Sequence, residues 1–307
     1  MSDAKNHETA VKLEAVNYRN WDNCLRLSNG TVELVVSVGL GPRILCYRRI
    51  DGGVNFMKNF TGQMEKISTD EWFSYGGHRL WHAPEISPRT YYPDVDPVEY
   101  SFDGKTIALK CAKEATTGLR KEIDIELSPS GTEVTLRQRI FNENLWAVTF
   151  APWGLTVMAE GGELFVPQEP YVPHGSGAGE SFVYARPLVL WQFTKMSDPR
   201  FTWGDDFIRM RQDNRYDSKQ KFGATVKAGW AAYALSGELF VKHFPYDPEA
   251  TYPDGGCNAE FFTMPGFLEV ESLGALSSVE PGDCAQLDER WELPNQAQAK
   301  KIIQGYL

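Results

Sequence analysis

The chain is poor in several features, and each scarcity removes a class of protein. Its five cysteines, Cys24, Cys46, Cys111, Cys257 and Cys284, are scattered, odd in number and never spaced Cys-x-x-Cys. A disulfide framework and a zinc knuckle are therefore not expected, and free thiols in a reducing, cytoplasmic location are. No apolar run approaches the length that spans a bilayer. The N-terminal MSDAKNHETAVKLEAV lacks the apolar stretch of a signal peptide. Basic clusters are missing too, and the formal net charge is −10. Neither nucleic acid nor a membrane surface is an expected partner, because no Lys/Arg-dense segment exists to neutralise phosphates. No G-x-S-x-G elbow occurs. The glycine-rich HGSGAG at 174–179 lacks the Lys-Ser/Thr ending of a phosphate loop and reads as a flexible loop.

Sustained helical periodicity is almost absent, and what replaces it is alternation with period two. The clearest case is KEIDIELSPSGTEVTLRQRIFN, residues 121–142. Ile123, Ile125 and Leu127 point one way, Glu122, Asp124 and Glu126 the other. Ser128-Pro129-Ser130-Gly131 supplies a turn, and Val134, Leu136 and Ile140 resume the pattern. This predicts an antiparallel hairpin with one wet face. Similar strands are predicted at 31–38, 43–50, 106–111, 147–158, 224–235, 238–243, 267–273 and 286–293, separated by turns such as Asp51-Gly52-Gly53 and Ser236-Gly237. A short helix is predicted in the last residues, NQAQAKKIIQGY, and another within 59–70. With 42% hydrophobic and 13% aromatic residues, the chain has material for a sizeable core. The fold class expected is all-β, a large antiparallel β-sandwich. It is read as one domain over 1–307, with its core at about 25–293 and a short polar N-terminal extension. The segments 54–100, 167–222 and 244–266 read as long loops, where binding residues tend to gather.

Two constellations could carry chemistry. The first is FSYGGHRLWHAPE, residues 73–85, holding His78 and His82, two of the five histidines. His-x-x-x-His on a helix is a zinc spacing. Here Gly76-Gly77 before it and Pro84 after it oppose a helix, so it reads as a loop. A metal site would need further ligands from His174, His243, Glu85 or Glu260. Ordinary hydrogen-bonded histidines and a polar cluster aimed into a ligand cleft are the other two readings. The second constellation is YPDGGCNAEFFTMPGF, residues 252–267, which sets Glu260 in an apolar run. A partly desolvated carboxylate would be pushed toward general-base range. A strand-edge glutamate facing water is the alternative. Aromatic density accompanies both, and Trp81 and Trp153 are the tryptophans least readily assigned to core packing.

Several motifs together, Gly-Pro-Arg-Ile at 41–44, Gly-Gly-His-Arg-Leu-Trp at 76–81, Ala-Pro-Trp-Gly-Leu-Thr at 151–156 and Gly-Cys-Asn-Ala-Glu at 256–260, resemble the galactose mutarotase-like (aldose 1-epimerase-like) superfamily. The resemblance extends over about residues 25–293. It implies a β-supersandwich with a sugar-binding cleft on its concave face, a small-molecule sugar as partner, and no cofactor or metal. It implies Glu260 as the base that deprotonates an anomeric hydroxyl. The family's acid histidine has no counterpart, because Phe150-Ala151-Pro152-Trp153-Gly154-Leu155 stands in its place. His78 or His82 is then the expected acid, opposite Glu260. Arg43, Arg79, Trp81, Glu85, Trp153 and Asn258 are the expected sugar contacts, Arg43 and Arg79 also as contributors to a phosphate clamp. A non-catalytic sugar-binding protein on the same fold is the alternative.

Overall fold

The computed structural model describes residues 11–60, 62, 67–174 and 185–306. Two large antiparallel sheets face each other. In spatial order, the first runs Lys12–Tyr18, Trp21–Ser28, Val32–Ser37, Arg43–Arg49, His78–Ala83, Val148–Met158, Phe267–Leu273, Ala259–Met264, Gln220–Ala224 and Leu188–Leu190; Ser277–Val279 also pairs with Val148–Met158. The second runs Phe201–Trp203, Phe207–Arg211, Glu163–Pro167, Trp230–Leu235, Glu238–His243, Cys284–Glu292, Val134–Asn142, Leu119–Leu127, Thr106–Lys110 and Glu99–Phe102. The expected all-β sandwich is the fold.

Where one face of a strand meets water, the sequence pattern and the structure agree. Leu119–Leu127 pairs with Val134–Asn142 along its full length, and its residues alternate between fully and partly buried. On the wetter face Arg139 Nη2 lies 2.8 Å from Asp124 Oδ2 and 3.2 Å from Glu122 Oε2, a cross-strand charge arrangement that suits an exposed sheet surface. Ile123, Ile125, Leu136 and Ile140 point into the core between the sheets, with Leu80, Phe150, Phe222, Phe240 and Val270 from elsewhere. The C-terminal helix is Gln296–Ile302. Asn295 caps it in a reciprocal box with Gln298, satisfying two otherwise orphaned N–H groups.

Three segments read as loops contain strands. His78–Ala83 is a central strand of the first sheet and is buried at every position. Ala259–Met264 and Gln220–Ala224 are the third and fourth strands from it toward the other edge. Gly76 and Gly77 are the entry turn of His78–Ala83 rather than a loop flank. Both have positive φ, and a Cβ would lie 2.2 Å from the Lys58 carbonyl oxygen at Gly76 and 2.6 Å from that of Ile44 at Gly77. The strand expected over 224–235 is divided at Gly229, whose N–H closes a turn onto Val226 O at 3.1 Å. Residues 61 and 63–66 of the segment in which a helix is expected, and most of HGSGAG, lie outside the described residues.

A polar network crosses the interior. Lys242 Nζ donates to Gly154 O at 2.9 Å, Thr156 Oγ1 at 3.0 Å and Val270 O at 3.2 Å, and lies 3.2 Å from Glu289 Oε1. Glu289 in turn accepts from Ser272 Oγ at 2.5 Å and Trp291 Nε1 at 2.8 Å. Burial pushes its carboxyl up, but Lys242 and these donors outweigh that and hold it below the ordinary range.

Candidate functional site

Directly opposite residues on antiparallel neighbours share a face. Arg79, Leu155, Glu271, Glu260 and Gly223 therefore form one row across five strands of the first sheet. Trp81, Trp153 and Leu273 make the adjacent row on one side. Val157, Glu269, Phe262 and Lys221 make the row on the other. All these point away from the inter-sheet core, so the rows bring Arg79, Trp81, Trp153, Lys221, Glu260, Glu269 and Glu271 onto one polar and aromatic face.

The same alternation settles the histidines. His78, Leu80 and His82 point the other way. Neither imidazole stands across from Glu260, which corrects the expected acid. His78 bonds Thr156 Oγ1 at 3.0 Å and Gln138 Oε1 at 2.9 Å, and meets the Trp291 ring edge-on at 4.9 Å. Lys242 donates to Thr156, so the consistent proton order is Thr156 hydroxyl to His78 Nδ1 and His78 Nε2–H to Gln138. Burial lowers the His78 pKa to about 4. His82 is buried beside Phe150, neither ring nitrogen has a hydrogen-bond partner, and burial with the charges of Lys121 and Arg89 lowers it to about 3. Both are neutral interior groups. Among the described residues no three of His, Cys, Asp and Glu are grouped to hold a metal ion.

At the centre of the face, Lys221 Nζ lies 2.6 Å from Glu260 Oε2 and 3.4 Å from Glu271 Oε2. It also stands 5.0 Å from the Trp153 ring centroid and 4.6 Å from that of Trp191. Trp153 Nε1 donates to Glu271 Oε2 at 3.0 Å. Burial works against the ammonium, but Glu271 and Glu260 more than offset it and hold the Lys221 proton well above the lysine range. Burial pushes the Glu260 carboxyl up; Lys221 pulls it back and the Glu271 charge adds to the rise, leaving a net upward displacement. Glu269 is raised in the same way, opposed by Arg79. Gly223 makes room: a Cβ there would lie 2.5 Å from Cys257 Sγ and 3.3 Å from Glu260 Cγ.

The remaining expected contacts divide. Arg79 sits 4.4 Å over the Trp81 ring and 5.4 Å from that of Trp72, with Nη2 3.5 Å from Glu269 Oε1. Trp72, Trp81, Tyr91 and Trp153 pack as an aromatic cluster with centroids 4.9–5.6 Å apart. Glu85 is an exposed rim carboxylate accepting from the Tyr91 hydroxyl. Arg43 is fully buried, donates to Gly76 O at 3.2 Å, lies 3.5 Å from Asp94 and covers the Tyr75 ring. It is a structural guanidinium, not the partner of Arg79. The Asn258 amide is likewise spent on backbone: it accepts from Val226 N at 2.6 Å and donates to Val226 O and Pro245 O. Lys221, Glu269 and Glu271 escaped the sequence reading. The glutamates alternate with Leu268 and Val270, a pattern that also describes an ordinary wet face.

The supersandwich layout has counterparts among solved structures. A galactose mutarotase-like protein of Clostridium acetobutylicum superposes with a TM-score of 0.56 at 8% identity, covering 93% of this chain and 99% of its own. A candidate aldose 1-epimerase of Escherichia coli K12 gives 0.54 at 12% identity, covering 88% and 98%. The fold is galactose mutarotase-like. It also occurs inside larger proteins: a TPR-domain-containing protein of Parabacteroides distasonis matches with a TM-score of 0.58 at 11% identity over 88% of this chain, and the chain spans 46% of that protein's length. Neither a family model nor a curated protein matches the sequence. The mutarotase-like fold thus frames the Glu260–Lys221 face without assigning its chemistry.

Proposed function

We propose that the chain acts on the anomeric carbon of an aldose, as an aldose 1-epimerase-like isomerase, with Glu260 as base and Lys221 as acid. The observation that supports this is the carboxylate–ammonium pair, 2.6 Å apart, set against the indole of Trp153. The hydroxyl oxygen and the ring oxygen of a pyranose share one carbon, so an acceptor and a donor side by side can address both. Glu260 takes the anomeric hydroxyl proton, Lys221 gives a proton to the ring oxygen, and the bond from the anomeric carbon to the ring oxygen breaks. Rotation of the aldehyde and closure on its other face return both protons and give the other anomer. Protonation of Glu260 removes one of the charges that hold the Lys221 proton, so the ammonium becomes more acidic as the ring oxygen becomes basic. Indole faces suit the apolar faces of a sugar ring.

A second reading, sugar binding without turnover, is favoured by one observation: Glu271 also holds the Lys221 ammonium, at 3.4 Å. Polarimetric measurement of anomer interconversion for a panel of aldoses separates the two. The expected result is acceleration over buffer that falls by about 10²-fold or more in Glu260→Gln with binding retained. Binding with no acceleration for any sugar supports the second reading and ends the first.

A further inference from the structure

The face carries more carboxyl groups than cations. Arg79 and Lys221 stand among three buried carboxyl groups, Glu260, Glu269 and Glu271. Arg79 is engaged by Glu269 and the Trp81 ring. One ammonium serves both Glu260 and Glu271, through their Oε2 atoms. The Oε1 atom of each is buried and has no hydrogen-bond partner. Leaving a buried acceptor without a donor costs the desolvation of that group. Donors are idle elsewhere on the face and its aromatic cluster: Arg79 Nε and Nη1, and the indole N–H groups of Trp72 and Trp81, are buried and unpartnered. A ligand that completes this face therefore brings acceptors for the idle donors and a cationic donor for the two free carboxylate oxygens. A bare metal ion leaves the indole and guanidinium donors unmet. The surroundings of Lys221, between the rings of Trp153 and Trp191, show how an ammonium is accommodated here.

We infer that the ligand is an amino sugar, whose ring oxygens take the idle donors and whose free ammonium pairs with Glu260 and Glu271. The inference rests on the sugar-site reading above and names its substrate class. A sugar phosphate fits poorly, because Arg43 is committed to Gly76 and Asp94, and Arg79 already faces Glu269. A cationic ligand has a further effect. Burial holds a proton on Glu260 to higher pH than usual, and an arriving ammonium displaces it. The substrate's own charge thereby converts Glu260 into its basic form.

Tryptophan fluorescence of the full chain, with indoles lining the face, reads binding directly. Glucosamine, N-acetylglucosamine, glucose, glucose 6-phosphate and calcium chloride are titrated separately into wild type and Glu271→Gln. Glucosamine is expected to bind wild type about tenfold or more tighter than glucose or N-acetylglucosamine, as one desolvated charge pair implies. That preference is expected to rise with pH while the amine stays charged, and to shrink toward one in Glu271→Gln. Glucose or N-acetylglucosamine binding as tightly as glucosamine overturns the amino-sugar inference and leaves the sugar-site reading standing. Tighter binding of glucose 6-phosphate overturns it as well. A response to calcium with none to any sugar, or no response to any titrant, overturns both.

Discussion

Glu260 and Glu271 stand directly opposite each other on neighbouring antiparallel strands, and the ammonium of Lys221 lies within 3.4 Å of both. Two carboxyl groups and one cation in a buried setting form a single electrostatic unit. The first expectations concern that unit.

Lys221→Arg separates proton donation from charge. A guanidinium keeps the positive charge near Glu260 and Glu271 but does not release a proton in this pH range. Sugar binding in this variant should stay near the wild-type level while anomer interconversion falls by about 10²-fold. Equal loss of binding and rate would make Lys221 a positioning charge and not an acid. Removing the charge outright, as in Lys221→Met, is less informative, because breaking a buried pair costs about 3–5 kcal/mol of stability.

The pH–rate profile follows from the direction of the Glu260 displacement. Burial raises its proton affinity, with Glu271 adding and Lys221 opposing. The basic form therefore accumulates only above the usual carboxylate range, and the rate with a neutral aldose should climb as pH rises through neutrality. Initial polarimetric rates across that range check it, and a flat or falling profile there would count against Glu260 as base.

Gly223→Ala should impair the site through a neighbour. The added methyl would lie 2.5 Å from Cys257 Sγ and 3.3 Å from Glu260 Cγ. Displacing the carboxylate by a fraction of an ångström should reduce the rate by about 10- to 100-fold. The double variant with Cys257→Ala removes the closer contact and should recover most of that loss. Absence of recovery would place the strain on Glu260 itself.

Acid stability should depend on the interior histidines. The unfolded chain protonates histidine below about pH 6.5. In the folded chain His78 and His82 stay neutral down to about 4 and about 3, both because burial disfavours the charge. Their contribution is thus complete above about pH 6.5 and is lost as pH falls toward those values. Between pH 6.5 and 5 each should cost about 2 kcal/mol. Urea denaturation at pH 7 and pH 5 should show His82→Phe losing about 2 kcal/mol less than wild type. The same drop in both proteins would remove His82 from the account.

Gly154→Ala tests the interior network independently of any ligand. Its Cβ would lie 2.3 Å from Glu289 Oε1 and 3.2 Å from Gln138 Nε2. Overpacking against a fully buried ion pair should lower stability by at least about 1–3 kcal/mol. A denaturation midpoint within error of wild type would show that the network can move aside.

The hairpin of residues 119–142 was legible because one face is wetter than the other, so period two survives in its composition. His78–Ala83 was not legible, since it is buried on both sides and each side carries polar groups with distant partners. Thr156, Gln138 and Glu269 come from other strands, and no local pattern announces them. Glu260 was legible through its Gly-Cys-Asn-Ala-Glu motif. Lys221 belongs to a strand whose short run, Gln220–Ala224, reads as loop until Phe222 is seen in the core. Glu269 and Glu271 show the limit most plainly. Alternation reveals which side chains leave the core, and it does not distinguish a face turned to water from one shaped for a ligand.

The six residues of His78–Ala83 hold two different chemistries, one on each side. Because the side-chain period is two, sliding this strand by one position exchanges them. Two imidazoles would then join the face that carries Glu260, three strands away from it, while a guanidinium and an indole would enter the space between the sheets. The Gly76-Gly77 turn, which fixes where the strand begins, acts as the selector between a histidine-based and an arginine–tryptophan-based surface. A one-residue insertion or deletion there would change the kind of chemistry on the face without substituting any residue of the strand.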